Sequence, residues 1–189
     1  HHDIWDYDVP SQPTFYDVKK NGKTIKALAQ TTKMGFVFLL NRETGEPIFP
    51  VEERDVPQGA VEGDFVTKTQ PFPTKPKPLT PTYLDPNDVF GFTPWDRGYC
   101  KKAAQDLRNE GLYTPPSIKG SVHYPSAIGG ANWGGPAIDS SRNILIANTM
   151  NLSSTIVMVP RSDCDKALKE LARDGVQSRF SALQQNEGT

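Results

Sequence analysis

The chain has 189 residues, 36% of them apolar, with 17 Pro, 15 Gly and two Cys; 21 Lys+Arg against 22 Asp+Glu leave a net charge of −1. That length accommodates one domain, or one domain with an appendage, and the balanced charge excludes the electrostatic footprint of a nucleic-acid binder. The longest apolar run, Gly35-Phe-Val-Phe-Leu-Leu40, is far shorter than the roughly 20 residues of a membrane-spanning helix.

The chain opens on its densest polar cluster, His1-His2-Asp3-Ile4-Trp5-Asp6-Tyr7-Asp8. Read as extended backbone, it turns Asp6 and Asp8 to one face and Trp5 and Tyr7 to the other. Two carboxylates on one face suit a hard cation, or a base beside a metal-bound oxygen. The plain alternative is a solvated strand end with two capping acids. His1, His2 and Asp3 are also metal-ligand types, as in a metal-dependent hydrolase, but three adjacent residues face one ion only on an irregular backbone. His1-His2 equally matches the end of a purification tag.

Residues 24–50 read as β structure. Thr24–Thr31 loosely alternates polar and apolar side chains, and Phe36–Leu40 is a short buried-type run. Asn41-Arg-Glu-Thr-Gly45 is a turn signal, and Glu46–Phe49 would be the return strand. Lys33 falls at the turn that enters the buried run. From Val51 to Pro94 the prolines are too frequent for central strands, six of them lying between Phe65 and Phe90. The aromatics in that stretch predict an excursion ordered by packing, not a disordered linker.

A helix is expected over Asp96–Glu110, with Cys100, Ala104 and Leu107 on one stripe and Gly111 as its stop. Tyr124–Gly135 then sets Asn132-Trp133 between two glycine pairs, Gly129-Gly130 and Gly134-Gly135. Such flanking lets backbone approach a ligand closely, or simply makes a glycine-rich loop around a buried Trp. A second strand–turn–strand unit follows: Gly135–Ile138, Asp139–Asn143, Ile144–Ala147. Thr155–Val159 adds one more strand. Ser162 as N-cap, acids at Asp163 and Asp165, and Leu168, Leu171 and Ala172 on one face predict a second helix closing at Gly175. The polar segment after Gln177 is expected to fray. Cys100 and Cys164 form no CxxC or metal-ligand pattern; a disulfide and two buried thiols both remain open. Short strands, tight turns and long insertions indicate an all-β fold with helical decoration.

Taken together, several stretches resemble one family. His1–Asp8, Lys33-Met-Gly-Phe-Val-Phe-Leu-Leu-Asn-Arg-Glu-Thr-Gly45, Pro57-Gln-Gly-Ala60, Tyr113-Thr-Pro-Pro-Ser117 and Asn132-Trp-Gly-Gly135 resemble, in that order, the pyrroloquinoline quinone (PQQ)-dependent dehydrogenases. The branch is the membrane-bound glucose/quinate/shikimate type. The likeness runs from His1 to about Arg161, and it makes the two histidines native. It implies an eight-bladed β-propeller with PQQ and a divalent cation, Ca²⁺ or Mg²⁺, in its funnel. Leu39-x-Asn41-x-x-Thr44-Gly45-x-x-x-Phe49 resembles the blade-closing tryptophan-docking motif, with Asn for Asp and Phe for Trp.

The resemblance also implies roles. Asp6 matches the catalytic base that takes the substrate's hydroxyl proton as hydride passes to the quinone. Lys33 matches the lysine on the quinone oxygens, where a cation offsets the charge that reduction builds. Asn132 and Trp133 match positions beside the cofactor. Asp8 stands where some relatives place an acid on a larger cation. The expected substrate is a sugar, polyol or cyclic polyhydroxy acid, with ubiquinone as acceptor, at the periplasmic face of the bacterial inner membrane. The family's main cation ligands, stacking Trp, later blades and membrane helices have no counterpart here. On this likeness the chain is therefore a fragment of two to three blades, inactive by itself, with 51–120 an insertion between blade strands and 162–175 a helical excursion. The contrasting expectation is a non-catalytic propeller segment, which has no reason to keep both Asp6 and Lys33.

Overall fold

The computed structural model describes residues 1–173. They fall into two units, His1–Val157 and the segment from Met158 onward.

The first unit is built from small antiparallel sheets. β1 (Thr14–Lys20), β2 (Lys23–Thr31) and β3 (Val37–Asn41) form a three-stranded sheet in that order. In β2 the small residues Ala27, Ala29 and Thr31 are buried, while the alternate positions are more exposed. Phe15 pairs with Leu28, and Ala29 with Leu39. β1 is not among the expected strands. Its signal is Asn21-Gly22, both at positive φ (52° and 73°), which closes a two-residue hairpin of the kind that matches strand twist.

The expected return strand at Glu46–Phe49 shrinks to a single bridge between Leu40 and Pro47. Pro47 donates no ladder bond, and Pro50 ends the segment. The turn before it forms as expected. The Asn41 side-chain oxygen accepts from Glu43 N–H, and Gly45 N–H (φ 78°) bonds the Asn41 carbonyl. An amide oxygen thus caps this turn where the resembling motif has an acid.

Two further strands lie in the proline-rich stretch: β4 (Val51–Asp55) pairs with β5 (Thr69–Pro73). A two-stranded sheet has only edges, so Pro71 and Pro73 can sit in β5 without breaking an interior ladder. Next comes α1 (Pro94–Asp106). Thr93 caps it through a bond from Asp96 N–H, and Pro94 occupies the first turn, so the helix starts before Asp96. It stops at Asp106, short of Glu110, because Leu107 is extended. β6 (Ser121–His123) pairs with β9 (Ser154–Ile156), and β7 (Pro136–Asp139) with β8 (Ile144–Ala147). Thr14 Oγ1 donates to the Pro136 carbonyl, tying β1 to β7.

The core is aromatic. Trp5, Tyr7, Met34, Phe36, Val56, Leu112 and Tyr113 form one buried cluster, with Phe72 packed against it. Trp5 and Tyr113 meet edge to face at 5.1 Å, Tyr7 and Tyr113 at 5.8 Å, the geometry that aromatic quadrupoles favour. The opening segment is therefore woven into the centre of the unit.

In the second unit, Arg161–Asp163 is a 3-10 turn and α2 spans Cys164–Arg173. Ser162 lies inside that turn and is not the cap that the sequence suggests. Gly175 and the segment after Gln177 lie outside the described residues. Cys100 and Cys164 are both free thiols. Among the described residues no helix is long and apolar enough to cross a membrane.

Candidate functional site

The site begins with how residues 3–8 are held. The Asp3 carboxylate accepts from Trp5 N–H (2.9 Å) and Tyr7 N–H (2.7 Å). Trp5 Nε1 donates to the Thr114 carbonyl at 2.9 Å, and the Tyr7 hydroxyl to the Pro125 carbonyl at 2.5 Å. Burial first, then the negative charges around them, push the Tyr7 and Tyr113 phenols well above their ordinary range, so both stay neutral. The expected alternation holds, with Trp5 and Tyr7 buried and Asp6 and Asp8 facing out. Its cause is not a strand: Asp6 sits at φ 62°, a left-handed conformation that Asp tolerates better than most residues.

His1, His2 and Asp3 do not converge. His1 Nε2 pairs with Glu53 and His2 Nε2 with Asp64, each at 3.0 Å, and His2 stacks on Phe65. Asp3 is spent on backbone. Among the described residues no group of three His, Cys, Asp or Glu side chains is placed to hold a metal ion. The metal-dependent hydrolase expectation therefore has no site here.

Lys33 lies in the loop between β2 and β3. Thr32 N–H bonds the Phe36 carbonyl, Gly35 N–H bonds the Thr32 carbonyl, and Gly35 takes φ 79°. From this loop Lys33 Nζ reaches Asp6 Oδ2 at 2.9 Å and Asp8 Oδ1 at 2.5 Å. The lysine side chain is only 10% exposed, whereas those of Asp6 and Asp8 are 69% and 54% exposed. Burial alone would push the Lys33 ammonium down. The hydrogen bonds and negative charges of Asp8 and Asp6 outweigh it, and its pKa is held above the ordinary lysine value.

The glycine-rich stretch serves this lysine. Gly130 N–H bonds the Lys33 carbonyl at 2.6 Å, and the Gly130 carbonyl accepts from Met150 N–H. A Cβ at Gly129 would stand 2.6–2.8 Å from Lys33 Cγ, Cα and Cβ, and one at Gly130 2.8 Å from Gly35 Cα. These glycines admit the Lys33 turn, a close approach of protein to protein. Thr80, whose buried hydroxyl has no partner, fills the remaining space beside Gly35 and Gly130.

Asn132 follows this fastening. Its Nδ2 donates to the Ile128 carbonyl and its Oδ1 accepts from Trp133 N–H. Trp133 is 83% exposed, not the buried Trp of the plain reading. It lines a recess of about 500 Å³ with Gln12, Pro13, Thr14 and Phe15; neither Asp6 nor Lys33 borders it. Sequence reasoning missed His123, 2% exposed, its ring 6.2 Å from Tyr7 and both ring nitrogens unpartnered. Burial pushes its pKa down to about 4, so it is neutral.

The fold thus brings an ammonium and an outward carboxylate together, Lys33 with Asp6, two residues to which the resemblance gave separate roles. The family model for the β-propeller domain of PQQ glucose/ethanol/alcohol dehydrogenases matches residues 1–189. The chain belongs to this family. It is 40% identical to a quinoprotein glucose dehydrogenase of Escherichia coli (strain K12) over 167 residues, 85% of this chain and 20% of the relative. It is 40% identical to the quinoprotein glucose dehydrogenase of Gluconobacter oxydans (strain 621H) over 190 residues, 100% of the chain and 23% of the relative. A quinate/shikimate dehydrogenase (quinone) of Acinetobacter baylyi is 31% identical over 97% of the chain and 23% of the relative. The chain thus spans about a fifth of the length of these curated relatives. No solved structure matches significantly. The relatives are quinoprotein dehydrogenases, and the small antiparallel sheets fit the propeller class that the family model describes.

Proposed function

We propose that this chain is the segment of a quinoprotein dehydrogenase that carries its substrate base and one of its cofactor-binding cations. The observation behind this is the pair Asp6–Lys33, a solvent-facing carboxylate 2.9 Å from a buried ammonium. The donor set fits PQQ: Lys33 offers a fixed positive charge to quinone oxygens, and Asp6 offers a proton acceptor open to an incoming hydroxyl. PQQ, when bound, supplies the two-electron sink that takes hydride from the substrate carbon. Asp6 accepts the hydroxyl proton as the C–H bond breaks, leaving a carbonyl product. Lys33 stays charged and holds the quinone end in place. Asn132 joins the cofactor-binding set because Gly130 and Ala131 tie its segment to the Lys33 turn, and Trp133 offers an open indole face to a planar group.

The residues described do not by themselves make a cation site. A Ca²⁺ or Mg²⁺ would draw its ligands from elsewhere in a longer protein, in which this chain forms two to three blades of an eight-bladed propeller. In that arrangement 51–120 is the insertion between blade strands and 162–175 a helical excursion. The relatives' names point to glucose, quinate and shikimate, so the substrate class is a polyhydroxy alcohol or acid, with ubiquinone as acceptor at the periplasmic face of the inner membrane. The test is reconstitution of the longer protein with PQQ and Ca²⁺ and an artificial electron acceptor. PQQ-dependent oxidation of at least one of the three substrates is expected. No PQQ-dependent turnover with any sugar, polyol or cyclic polyhydroxy acid would reject the reading. The 189-residue chain alone should show no micromolar PQQ binding by fluorescence titration.

A further inference from the structure

Asp6 and Asp8 both reach Lys33, but they cannot serve it equally. On the reading above Asp6 is the carboxylate that takes the substrate proton, and once it does so it no longer offers the ammonium a full negative charge. Lys33 is 10% exposed, so little water is available to replace a lost counter-ion, and a buried charge left unpaired is costly. Asp8 Oδ1 is already the nearer oxygen, 2.5 Å against 2.9 Å. It comes from the residue after Tyr7, whose backbone N–H is fixed by Asp3 and whose hydroxyl is fixed by the Pro125 carbonyl. On the other side, Gly129 and Gly130 close on the lysine backbone. Lys33 is thus gripped at its backbone by the glycine pair and at its tip by a carboxylate that the chemistry does not consume.

We propose that Asp8 is a positioning residue for Lys33, the permanent counter-ion that holds the ammonium in place while Asp6 exchanges its proton. This rests on the reading of Asp6 and Lys33 above. It gives the second acid of the Trp-Asp-Tyr-Asp segment a partner within the chain, where the resemblance suggested a cation.

The experiment reads the lysine itself. In the ¹⁵N-lysine-labelled 189-residue chain, the Lys33 Nζ–H correlation survives exchange with water only while the ammonium is held. Asp8→Asn should broaden it beyond detection, Asp6→Asn should leave it visible, and Asp8→Glu should restore it. Near-UV circular dichroism of Trp5 and Tyr7 checks that each variant is folded. In the longer protein, Asp8→Asn should weaken PQQ binding about tenfold, the loss of one charge-assisted contact, whereas Asp6→Asn should change it little. The proposal is overturned if Asp8→Asn leaves the Lys33 signal intact, if Asp6→Asn abolishes it, or if Asp8→Asn lowers Ca²⁺ affinity without touching Lys33. The resonance needs no cofactor, so a failed quinone reading and a failed Asp8 assignment give different results.

Discussion

Lys33 Nζ and Asp6 Oδ2 stand 2.9 Å apart although 27 positions separate the two residues. Neither is held there by the pair itself. Asp6 is set by the buried side chains of Trp5 and Tyr7 on either side, and Lys33 by the hairpin loop and the glycine pair. Because the Lys33 turn is set through its backbone and not through the ion pair, Lys33→Met should leave folding nearly unchanged while weakening PQQ binding by about tenfold or more, the weight of hydrogen bonds to a charged group. Parallel denaturant unfolding and cofactor titration of the longer protein separate the two effects.

The glycine pair makes a sharper steric prediction. Gly129 takes φ 87° and has no room for a Cβ, whereas Gly134 has open space. Gly129→Ala should destabilise the fold by about 1–3 kcal/mol through overpacking against Lys33, and Gly134→Ala should be close to neutral. Urea midpoints of the two variants decide it.

Trp5 should be a keystone of stability as well as a neighbour of the base. It is 2% exposed, contacts Tyr113 and donates to the Thr114 carbonyl. Trp5→Ala is expected to cost about 3–5 kcal/mol, and Trp5→Phe less, since it keeps much of the packing. Equilibrium unfolding measures both.

His123 supplies a pH dependence. Its folded pKa, about 4, lies below the ordinary value of 6.5, so between these limits the unfolded chain binds the extra proton. Its contribution to stability is complete above pH 6.5 and is lost as pH falls toward 4, with a slope of at most about 1.4 kcal/mol per pH unit. Both ring nitrogens lack partners, so His123→Leu should flatten that slope at little cost at pH 7. Comparing wild type and variant at pH 5 and pH 7 isolates it from the carboxylates.

Much of the site was legible because its residues sit in local patterns. The acid-aromatic alternation of Trp5 to Asp8 foretold which side chains face out, although the backbone that does it bends through Asp6 under the grip of Asp3. Lys33 was legible as a turn residue before a buried run. β1 carries a local signal too, since Asn21-Gly22 between alternating residues marks a hairpin whose first strand lies before the β structure expected from Thr24. The β4–β5 pair was hidden by its prolines, which an edge strand tolerates and a central one does not. The packing of Gly129 against Lys33 joins residues far apart in the chain, and no local pattern reports such a contact. His123 is a lone histidine, and only the fold shows that it is buried without a partner.

The central claim is that Asp6 is the base of a quinoprotein reaction, and Asp6→Asn in the PQQ- and Ca²⁺-loaded longer protein tests it most directly. The amide keeps the shape of an exposed side chain but cannot accept the proton. Turnover with an artificial electron acceptor should fall by about 10²–10⁴-fold, with PQQ still bound and the unfolding midpoint unchanged. Turnover within a few-fold of wild type, with the cofactor bound, would contradict the assignment.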